Sequence, residues 1–435
     1  MTEHSALHIS CHSNTDRRII SEMNSLAASG WQVAFLHTPL DLRNSGVSPE
    51  IQLLSYAEGA SRNAGSKKSF KRKFFRMIYA LLTHLPLLGV PLFHLAVNML
   101  SILIFRQLEI ARQKYKGTPD VIHVHDVWLL EYAKKLQKQY YPAAKLVYDA
   151  HEFTPFQTSL KVETKVILQI EGKHIGSYDA VISVNQSIAE QMAELYHINK
   201  PLVLYNSVSD EFISKPLSRA EFLAHWNLPA DWPEDNCIIL YQGTLSPERN
   251  LENLVSAFAL LPDNLHLFML GNGPLYEKLT QIIAEKSLSG KVHLAEAVDQ
   301  LQLMSYTQAA DIGVVPYVAF DCANNYYATP NKLFEYIAAE LPICGSDLPE
   351  FVNIFSQYHN GCGYPMNNER EIASALSETY YAVCLEKQVY DSDLRKAKEA
   401  FSYSKQSCAL LTLYDDLLKS AASCAEVCEK NPATP

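Results

Sequence analysis

Short apolar runs alternate with amphipathic helical patterns along this chain. In the first half the runs occupy residues 7–11, 33–37, 121–125, 146–149, 180–184 and 202–205. A second series occupies residues 237–241, 266–270, 292–294, 312–315 and 342–344. Strand-like runs separated by helices are typical of a parallel sheet with helices on its faces. The pattern therefore predicts an α/β protein with two doubly wound sheets.

The two series of runs divide the chain into domains. At 435 residues the chain is too long for one ordinary hydrophobic core. We predict Rossmann-like domains over residues 1–205 and 237–395. Residues 206–236 are rich in Ser, Asp and Pro and are predicted to form the linker and the loop that leads into the second domain. Residues 396–435 hold a last helical pattern, which we expect to pack back on the first domain as a crossover helix and tail.

Polar residues follow several of the predicted strands. In open α/β sheets ligands bind beyond the C-terminal ends of the strands, and two such sheets can face each other across a cleft. The candidates in the first half are Asn14, His125, Asp126, His151 and Glu152. Those in the second half are Gly243, Thr244, Arg249, Gly271, Asn272 and Gly273. A single histidine at such a position is more often structural than catalytic, but the shared location predicts a binding cleft.

The segment that begins at Pro330 carries the most specific chemistry. It reads Pro-Asn-Lys-Leu-Phe-Glu-Tyr-Ile and leads into the apolar run 341–343. A helix N-terminus attracts phosphate through unpaired N–H groups and a partial positive charge, and Lys332 adds a full charge beside it. Glu335, one turn later, is placed to accept hydrogen bonds from a ribose. The alternative is a capped surface helix with an incidental Lys/Glu pair.

Composition narrows the classes of function. Hydrophobic residues make up 48% and charged residues 19% of the chain, as in ordered globular proteins. The net charge of -10 argues against a nucleic-acid binder. The nine cysteines form no Cys-x-x-Cys pair, so neither a disulfide framework nor a metal site is predicted, and a reducing, cytoplasmic compartment is expected. The first residues show no pattern of a secretory signal.

Residues 67–113 form a basic and apolar segment. Six basic residues lie between positions 67 and 76, and no charged residue occurs from 77 to 105. Length alone permits a transmembrane helix, while Pro86, Pro91 and Asn98 weigh against one. Three alternatives stay open: peripheral attachment at the inner face of a membrane, ordinary packing within the domain, and a membrane span. The clustered cations favour the first, because they attract anionic lipid.

Eight short motifs follow one another along nearly the whole chain. They are Asp-Arg-Arg at 16–18, Val-Ile-His-Val-His-Asp at 121–126, Tyr-Asp-Ala-His-Glu at 148–152, Asp-Ala-Val-Ile-Ser-Val at 179–184, Gln-Gly-Thr-Leu at 242–245 with Arg249, Leu-Gly-Asn-Gly-Pro-Leu at 270–275, Ala-Asp-Ile-Gly-Val-Val-Pro at 310–316, and the block that begins at Pro330. With these motifs in this order, the chain resembles retaining glycosyltransferases of the GT-B fold, most of all glycosyltransferase family 4. Each motif is weak alone, and their common order makes the resemblance specific.

The resemblance implies an architecture and a reaction. The architecture is GT-B, in which an acceptor-side domain and a nucleotide-sugar-binding domain face each other across a cleft. The reaction moves a sugar from a nucleotide diphosphate sugar, such as a UDP- or GDP-sugar, to an acceptor hydroxyl with the anomeric configuration kept. The acceptor would be a glycan in polysaccharide assembly, or a lipid-linked glycan if residues 67–113 contact a membrane. The family requires neither a metal nor a cofactor.

The resemblance also assigns roles to residues. Lys332 and Arg249 would stabilise the departing diphosphate, Glu335 would contact the ribose, and His151 would orient a sugar hydroxyl. These four are the candidate catalytic residues. The candidate donor-binding residues are Gly243, Thr244, Gly271, Asn272, Gly273, Asn325, Pro330 and Asn331, and the candidate acceptor-side residues are Asn14, His125, Asp126 and Glu152.

Several positions depart from the family pattern. The first glutamate of the family's paired motif falls at Tyr327, so Asn324 or Asn325 is the candidate substitute. The loop at 12–15 has no glycine, Thr244 stands where many members have arginine, and Glu340 stands where glycine is common. These departures keep a second hypothesis open, namely a GT-B protein that has lost transferase activity and acts as a binding or regulatory partner. A third, a sugar epimerase, would use Asp126 and Glu152 as acid and base.

Overall fold

The chain forms two compact units in a computed structural model. The structure describes residues 4–11, 16–38, 42, 45–55, 89–157, 161–229, 231–318, 323–385 and 387–430. The first unit comprises Met1–Leu204 with Ser407–Pro435, and the second comprises Tyr205–Gln406. Asn14 and the basic residues between positions 67 and 76 lie outside the described residues.

The helices and strands alternate throughout the described chain. The first series is β1 (Ser5–Ser10), α1 (Arg17–Ala28), β2 (Gln32–His37), β3 (Gln52–Ser55), α2 (Gly89–Arg112), β4 (Val121–Val124), α3 (Leu130–Tyr140), β5 (Lys145–Ala150), α4 (Lys161–His174), β6 (Ala180–Ser183), α5 (Gln186–Tyr196) and β7 (Leu202–Val203). The second series is α6 (Arg219–His225), β8 (Cys237–Gln242), α7 (Leu251–Ala257), β9 (Leu265–Leu270), α8 (Tyr276–Glu285), β10 (Val292–Ala295), α9 (Gln300–Thr307), β11 (Ile312–Val315), α10 (Ala323–Tyr327), α11 (Asn331–Ala338), β12 (Ile343–Ser346), α12 (Pro349–Tyr358), β13 (Gly361–Tyr364), α13 (Glu369–Leu385), α14 (Lys387–Ala400) and α15 (Tyr403–Lys430).

The first unit is built on a parallel sheet in the order β3-β2-β1-β4-β5-β6-β7. The strand order reverses between β1 and β4, and such a switch point is where doubly wound folds hold ligands. The register places His8 of β1 directly beside His123 of β4. Because side chains alternate across a strand, His8 and His123 share one face of the sheet, and His125 lies two residues further along the same face.

The second unit repeats the same topology. Its parallel sheet has the order β10-β9-β8-β11-β12-β13, with a switch point between β8 and β11. Apolar residues cover both faces: Ile239 and Tyr241 of β8 belong to one buried cluster, while Ile238 and Leu240 belong to the other. Strands buried on both faces read as continuous apolar runs, as the sequence of β8 does.

The structure confirms the predicted fold class and refines the predicted elements. All eleven predicted strands are present with small shifts at their ends, whereas β3 and β13 were not predicted. The segment 206–236 is not a loose linker, because it contains α6, whose Phe222 is fully buried in the second unit. The last helix, α15, packs on the first unit as expected, with Leu410 and Tyr414 buried in its core.

Candidate functional site

Two loops in the second unit fit together at the ends of β8 and β9. Gly243 N–H donates to the carbonyl of Leu270 at 2.9 Å, and Leu245 N–H donates to the carbonyl of Asn272 at 3.0 Å. A Cβ on Gly271 would lie 2.0 Å from the carbonyl oxygen of Gly243. Gly243 itself has a φ of +120°, which disfavours other residues. Glycine is therefore required at both positions for the loops to approach.

The loop after β8 also approaches the first turn of α11. Pro330 is the N-cap of this helix and is followed by Asn331, whose side-chain oxygen accepts a hydrogen bond from Asn206 at 3.1 Å. A Cβ on Gly243 would lie 3.4 Å from the ammonium nitrogen of Lys332. The structure thus brings Gly243, Pro330, Asn331 and Lys332 together, as the sequence predicted.

Lys332 is a buried cation surrounded by aromatic rings. Its side chain leaves only 6% of the residue exposed, and Nζ lies 3.8 Å from the ring centre of Tyr241 and 5.1 Å from that of Tyr317. The guanidinium of Arg249 lies 4.4 Å from the ring centre of the same Tyr317. Among the described residues, neither cation makes a side-chain hydrogen bond or an ion pair. Two positive groups thus lie close to the same aromatic ring, and neither forms an ion pair among the described residues.

The electrostatics of Lys332 reflect this environment. Burial lowers the pKa of Lys332 well below its usual value, and the nearby Arg249 lowers this pKa further, while Glu335 opposes the shift. Ionised groups are costly to bury without a counter-charge. An anion that entered this site would restore the charged form of the lysine and gain two cationic contacts.

A buried polar network fixes Glu335 on the same helix. The side-chain amide of Gln242 donates to Glu335 Oε2 at 2.5 Å, and Thr307 Oγ1 donates to Gln242 Oε1 at 2.8 Å. All three residues are buried. Gln242 at the end of β8 therefore sets the orientation of the carboxylate that the family resemblance assigns to the ribose.

The remaining donor-side candidates differ in their surroundings. Thr244 is exposed, and its carbonyl accepts a hydrogen bond from the Tyr241 hydroxyl at 2.9 Å. A Cβ on Gly273 would lie 2.3 Å from the carbonyl oxygen of Leu245, so this glycine also serves loop packing. Asn325 is half-buried on α10. Its proposed role as a substitute for the missing glutamate stays a prediction.

The switch point of the first unit holds a charged network that is internally paired. Arg18 donates to both carboxylate oxygens of Asp149, through Nε at 3.0 Å and Nη2 at 2.7 Å. The same Nε lies 3.0 Å from Glu22 Oε1. Burial would raise the pKa of Asp149, but Arg18 and His151 outweigh it and hold this pKa well below its usual value. Asp149 is therefore a buried carboxylate anion.

A chain of histidines runs from the core of this unit to Asp16. His8 Nδ1 lies 2.9 Å from His125 Nε2, and His125 Nδ1 lies 3.1 Å from His151 Nε2. His151 Nδ1 lies 2.9 Å from Asp16 Oδ2, and its Nε2 lies 2.9 Å from Asp149 Oδ2. Burial would lower the pKa of His151, but the two carboxylates raise it well above its usual value. His151 is thus a charged imidazolium held between Asp149 and Asp16.

The inner histidines are neutral. Burial lowers the pKa of His8, His123 and His125, and repulsion between neighbouring imidazoles adds to the effect. Burial raises the pKa of Glu22 to about 8, with a further contribution from Asp149. Three polar atoms of this group, His8 Nε2, His123 Nε2 and Glu22 Oε2, have no hydrogen-bond partner in the described part of the chain. An unsatisfied buried polar atom costs about 1–3 kcal/mol.

Two other acceptor-side candidates lie beside this network. Asp126 Oδ2 accepts hydrogen bonds from Ser10 Oγ at 2.9 Å and from Cys11 N–H at 2.7 Å, so it ties the end of β1 to the end of β4. Glu152 is exposed directly after His151. The structure therefore gives Asp126 a structural part and leaves the acceptor-side roles of both residues as predictions.

Sequence reasoning did not assign Tyr317 or Thr307 to the donor side, nor His8, Glu22 and His123 to the histidine network. Tyr317 directly follows the quoted motif at the end of β11, so its position after the strand was an available signal. His8 lies in a strand outside the quoted motifs, and His123 lies inside the motif at 121–126. Neither position reveals their proximity, because it arises from the pairing of β1 with β4.

Comparison with known proteins shows which family the second unit resembles. Residues 228–380 match the model of the family Glycosyl transferases group 1. The second unit is similar to group 1 glycosyltransferase domains. Sucrose-phosphate synthase from Thermosynechococcus elongatus has the same fold, with a TM-score of 0.67 at 18% identity over 96% of this chain and 100% of its own. HepE of Anabaena, solved in complex with UDP, gives a TM-score of 0.63 at 13% identity over 95% of this chain and 100% of its own.

These matches confirm that the chain has the GT-B fold. The sequence identity to related glycosyltransferases is low. TuaC of Bacillus subtilis, named as a teichuronic acid biosynthesis glycosyltransferase, is 21% identical over 248 residues, which are 57% of this chain. The chain spans 58% of the length of that relative.

Proposed function

We propose that this protein is a retaining glycosyltransferase that moves a sugar from a nucleotide diphosphate sugar to an acceptor hydroxyl in glycan assembly. The proposal rests on the pair of cations Lys332 and Arg249, neither of which forms an ion pair with an acidic side chain among the described residues. In a chain with a net charge of -10, two adjacent unneutralised cations at a sheet switch point favour a ligand that brings negative charge. A nucleotide diphosphate meets that requirement.

The same residues supply the chemistry that sugar transfer needs. As the glycosidic bond breaks, negative charge builds up on the diphosphate, and fixed positive groups stabilise it most in a site of low dielectric. Lys332, Arg249 and the first turn of α11 provide that charge, and Gly243 lets the backbone approach the ligand. Glu335, held by Gln242, would accept hydrogen bonds from the ribose. No divalent ion takes part in the proposed reaction.

The donor is proposed to be a UDP- or GDP-sugar. HepE, which shares the fold, was solved in complex with UDP, and this supports a uridine donor by analogy alone. On the acceptor side we propose that His125, Asp126 and Glu152 line the site, with Glu152 the exposed member. His151 would act through its charge, because both of its ring nitrogens face carboxylates.

A nucleotide panel tests the donor part of this proposal. We expect UDP or GDP to raise the melting temperature of the purified protein, since a ligand at 100 times its dissociation constant stabilises by about 2.7 kcal/mol. Glu335→Gln should weaken that stabilisation. Glu340→Gln is the matched control, because Glu340 lies just beyond the same helix and pairs only with the exposed Lys398. Transfer should be equally fast with and without added Mg²⁺ or Mn²⁺, and NMR of the product should show the anomeric configuration of the donor.

The outcomes separate the proposal from its competitors. If no nucleotide binds a folded sample, the protein is a GT-B binding or regulatory partner without transferase activity. If the free nucleotide sugar is converted to its epimer in the absence of an acceptor, the epimerase hypothesis is correct. The second outcome finds little support in Asp126, whose carboxylate already binds Ser10 and Cys11.

We also propose that α2 attaches the protein to the cytoplasmic face of a membrane, where a lipid-linked acceptor would be reached. The stretch Phe93–Arg112 is long and apolar enough to cross a membrane, and only 6% of it is buried. Leu95, Met99 and Leu103 project from one exposed face of the helix. Its last turns instead pack on the first unit, where Leu108 and Ala111 are fully buried. A helix docked at one end and apolar on its outer face supports peripheral attachment rather than a span.

A shallow groove of about 310 Å³ lies beside this outer face, between α2 and α3. Its lining combines the aromatic rings of Phe105 and Tyr132 with the cationic groups of Arg106 and Lys135 and the carboxylate of Glu109. Such a lining would suit an apolar chain that carries a phosphate. The groove supports a lipid-linked acceptor over a free glycan.

Vesicle flotation tests the attachment. We expect the protein to float with vesicles that contain anionic lipid and to float less with purely zwitterionic vesicles. The triple substitution Leu95→Gln, Met99→Gln and Leu103→Gln should abolish flotation. The control substitutions Leu260→Gln and Leu301→Gln remove equally exposed apolar side chains from the second unit. Equal flotation of both variants would contradict the attachment.

A further inference from the structure

The first unit contains a cluster of metal-ligand groups that the proposed transfer reaction does not use. His8, Glu22, His123 and His125 each present one ligand atom, and these four atoms all lie within 4.8 Å of one another. All four residues are buried. β1 contributes His8, α1 contributes Glu22, and the β4 region contributes the other two. The cluster therefore joins three separate segments of the chain.

A second, independent observation points to a missing ligand. His8 Nε2, Glu22 Oε2 and His123 Nε2 are buried without a hydrogen-bond partner among the residues that the structure describes. Glu22 Oε2 and His123 Nε2 lie 3.9 Å apart, too far for a hydrogen bond and suitable for a shared third atom. Orphaned buried polar atoms are rare in folded proteins, and here three of them belong to the same cluster. We propose that His8, Glu22, His123 and His125 form a structural binding site for a divalent transition-metal ion such as Zn²⁺.

The groups around the cluster orient its histidines as in known metal sites. His123 Nδ1 is hydrogen-bonded to the Tyr414 hydroxyl at 2.7 Å, which leaves Nε2 directed towards Glu22. His125 Nδ1 lies 3.4 Å from Asp149 Oδ2, which leaves Nε2 directed towards His8. A ligating histidine ordinarily donates its other N–H to a carboxylate or another oxygen in this way.

The donor set determines the class of ion. Three imidazoles and one carboxylate suit Zn²⁺, Co²⁺ or a similar ion, whereas Mg²⁺ prefers oxygen ligands and water. In tetrahedral coordination at 2.0–2.1 Å, the ligand atoms lie about 3.4 Å apart. Ligand atoms that now lie up to 4.8 Å apart therefore move closer by up to about 1.4 Å on binding, and the ion replaces the hydrogen bond between His8 and His125.

The geometry assigns this ion a position in the core of the first unit. The histidine rings stack with centroids 4.4–5.1 Å apart, so only modest rotations about their side-chain bonds are available to them. The ion would tie β1, α1 and β4 together and leave Lys332 and Glu335 untouched.

Metal titration of the full chain tests the site. After treatment with a chelator, we expect the protein to bind one equivalent of Zn²⁺ in calorimetry and to melt at a higher temperature, while Mg²⁺ has no effect. Co²⁺ should give the visible absorption of a tetrahedral site. Glu22→Gln and His8→Gln should each weaken Zn²⁺ binding by about tenfold or more. His197→Asn is the matched control, because His197 is an exposed histidine of the same unit.

If the variants fail to fold, X-ray absorption on the Zn²⁺-loaded wild type still tests the proposal, because it reports the atoms that coordinate the ion. We expect a first shell of three imidazole nitrogens and one oxygen. Sulfur ligands would overturn the proposal, because they would place the ion on the cysteines. It would equally be overturned if no stoichiometric Zn²⁺ binds, or if folded Glu22→Gln and His8→Gln bind Zn²⁺ as tightly as the wild type.

Discussion

The switch points of the two sheets have the same topology and opposite electrostatics. In the first unit the buried cations have anionic partners: Arg18 binds both oxygens of Asp149, and His151 lies between Asp149 and Asp16. In the second unit Lys332 and Arg249 share the ring of Tyr317, and neither has such a partner among the described residues. One position is neutralised by the protein, and the other is not.

This difference in charge balance indicates which of the two switch points binds an anionic ligand. A buried charge must be balanced, because transfer of an unpaired ion from water into the protein is costly. Where the balancing group is a side chain, the pair contributes to the fold and removal of one partner is destabilising. Where it is missing, the balancing group is expected to come from a ligand. The charged residues of the second unit therefore mark the donor site more strongly than the larger number of charged residues in the first.

The largest expected effect is a loss of stability in the first unit, where the buried charges are paired. Arg18→Met should lower the free energy of unfolding by about 3–5 kcal/mol, because it leaves Asp149 buried without its cation. Urea unfolding followed by circular dichroism measures this change. Arg370→Met is the control, since Arg370 is exposed at the start of α13. A loss below about 1 kcal/mol would mean that Arg18 is not the main counter-charge of Asp149.

A smaller effect is expected at the loops that shape the donor site. Gly271→Ala should cost about 1–3 kcal/mol and weaken nucleotide binding, because the new Cβ would meet the carbonyl oxygen of Gly243 at 2.0 Å. Gly290→Ala is the control, since a Cβ there has no atom within 4 Å. Thermal unfolding with and without nucleotide separates the two effects. If Gly271→Ala behaves like Gly290→Ala, the contact between the two loops is not required.

The smallest expected effect is a pH dependence of nucleotide binding. The pKa of Lys332 is lowered in the folded protein, so between that pKa and 10.5 the unfolded chain binds more protons, and ligand-free stability rises with pH. A bound diphosphate favours the charged lysine, so affinity should fall as pH rises through the same window, by at most about tenfold per pH unit. Calorimetry across alkaline pH measures this slope. Lys332→Arg should remove it, because arginine stays protonated.

If the affinity of Lys332→Arg still falls as pH rises, the group that titrates is not Lys332. A wild-type affinity that does not change with pH would contradict the close contact between Lys332 and the diphosphate.

Much of the fold was readable from the sequence, because buried parallel strands appear as apolar runs with polar residues after them. β3 and β13 escaped prediction for physical reasons. β3 is a four-residue strand at the edge of its sheet, and β13 contains two glycines, Gly361 and Gly363, which have low strand propensity. Glu340 shows the reverse case, since its φ of +55° explains why a glycine is common at that position.

The sequence was sufficient to predict which residues form the donor side, but not which of them contact one another. Gly243, Lys332 and Glu335 each follow a recognisable local motif. The network of Gln242 with Thr307, and the ring of Tyr317 beneath two cations, depend on elements that are far apart in sequence. The histidine cluster is a stronger example, because His8 and His123 become neighbours only when β1 pairs with β4.

Lys332→Met tests most directly whether Lys332 binds the diphosphate of the donor. Thermal unfolding of this variant and of the control Lys398→Met should be measured with and without UDP and GDP. We expect Lys332→Met to raise the melting temperature of the ligand-free protein, because it removes a buried amine that makes no side-chain hydrogen bond among the described residues, and to weaken nucleotide binding by about 100-fold or more. A variant that is destabilised without ligand and still binds the nucleotide like the wild type would contradict the account.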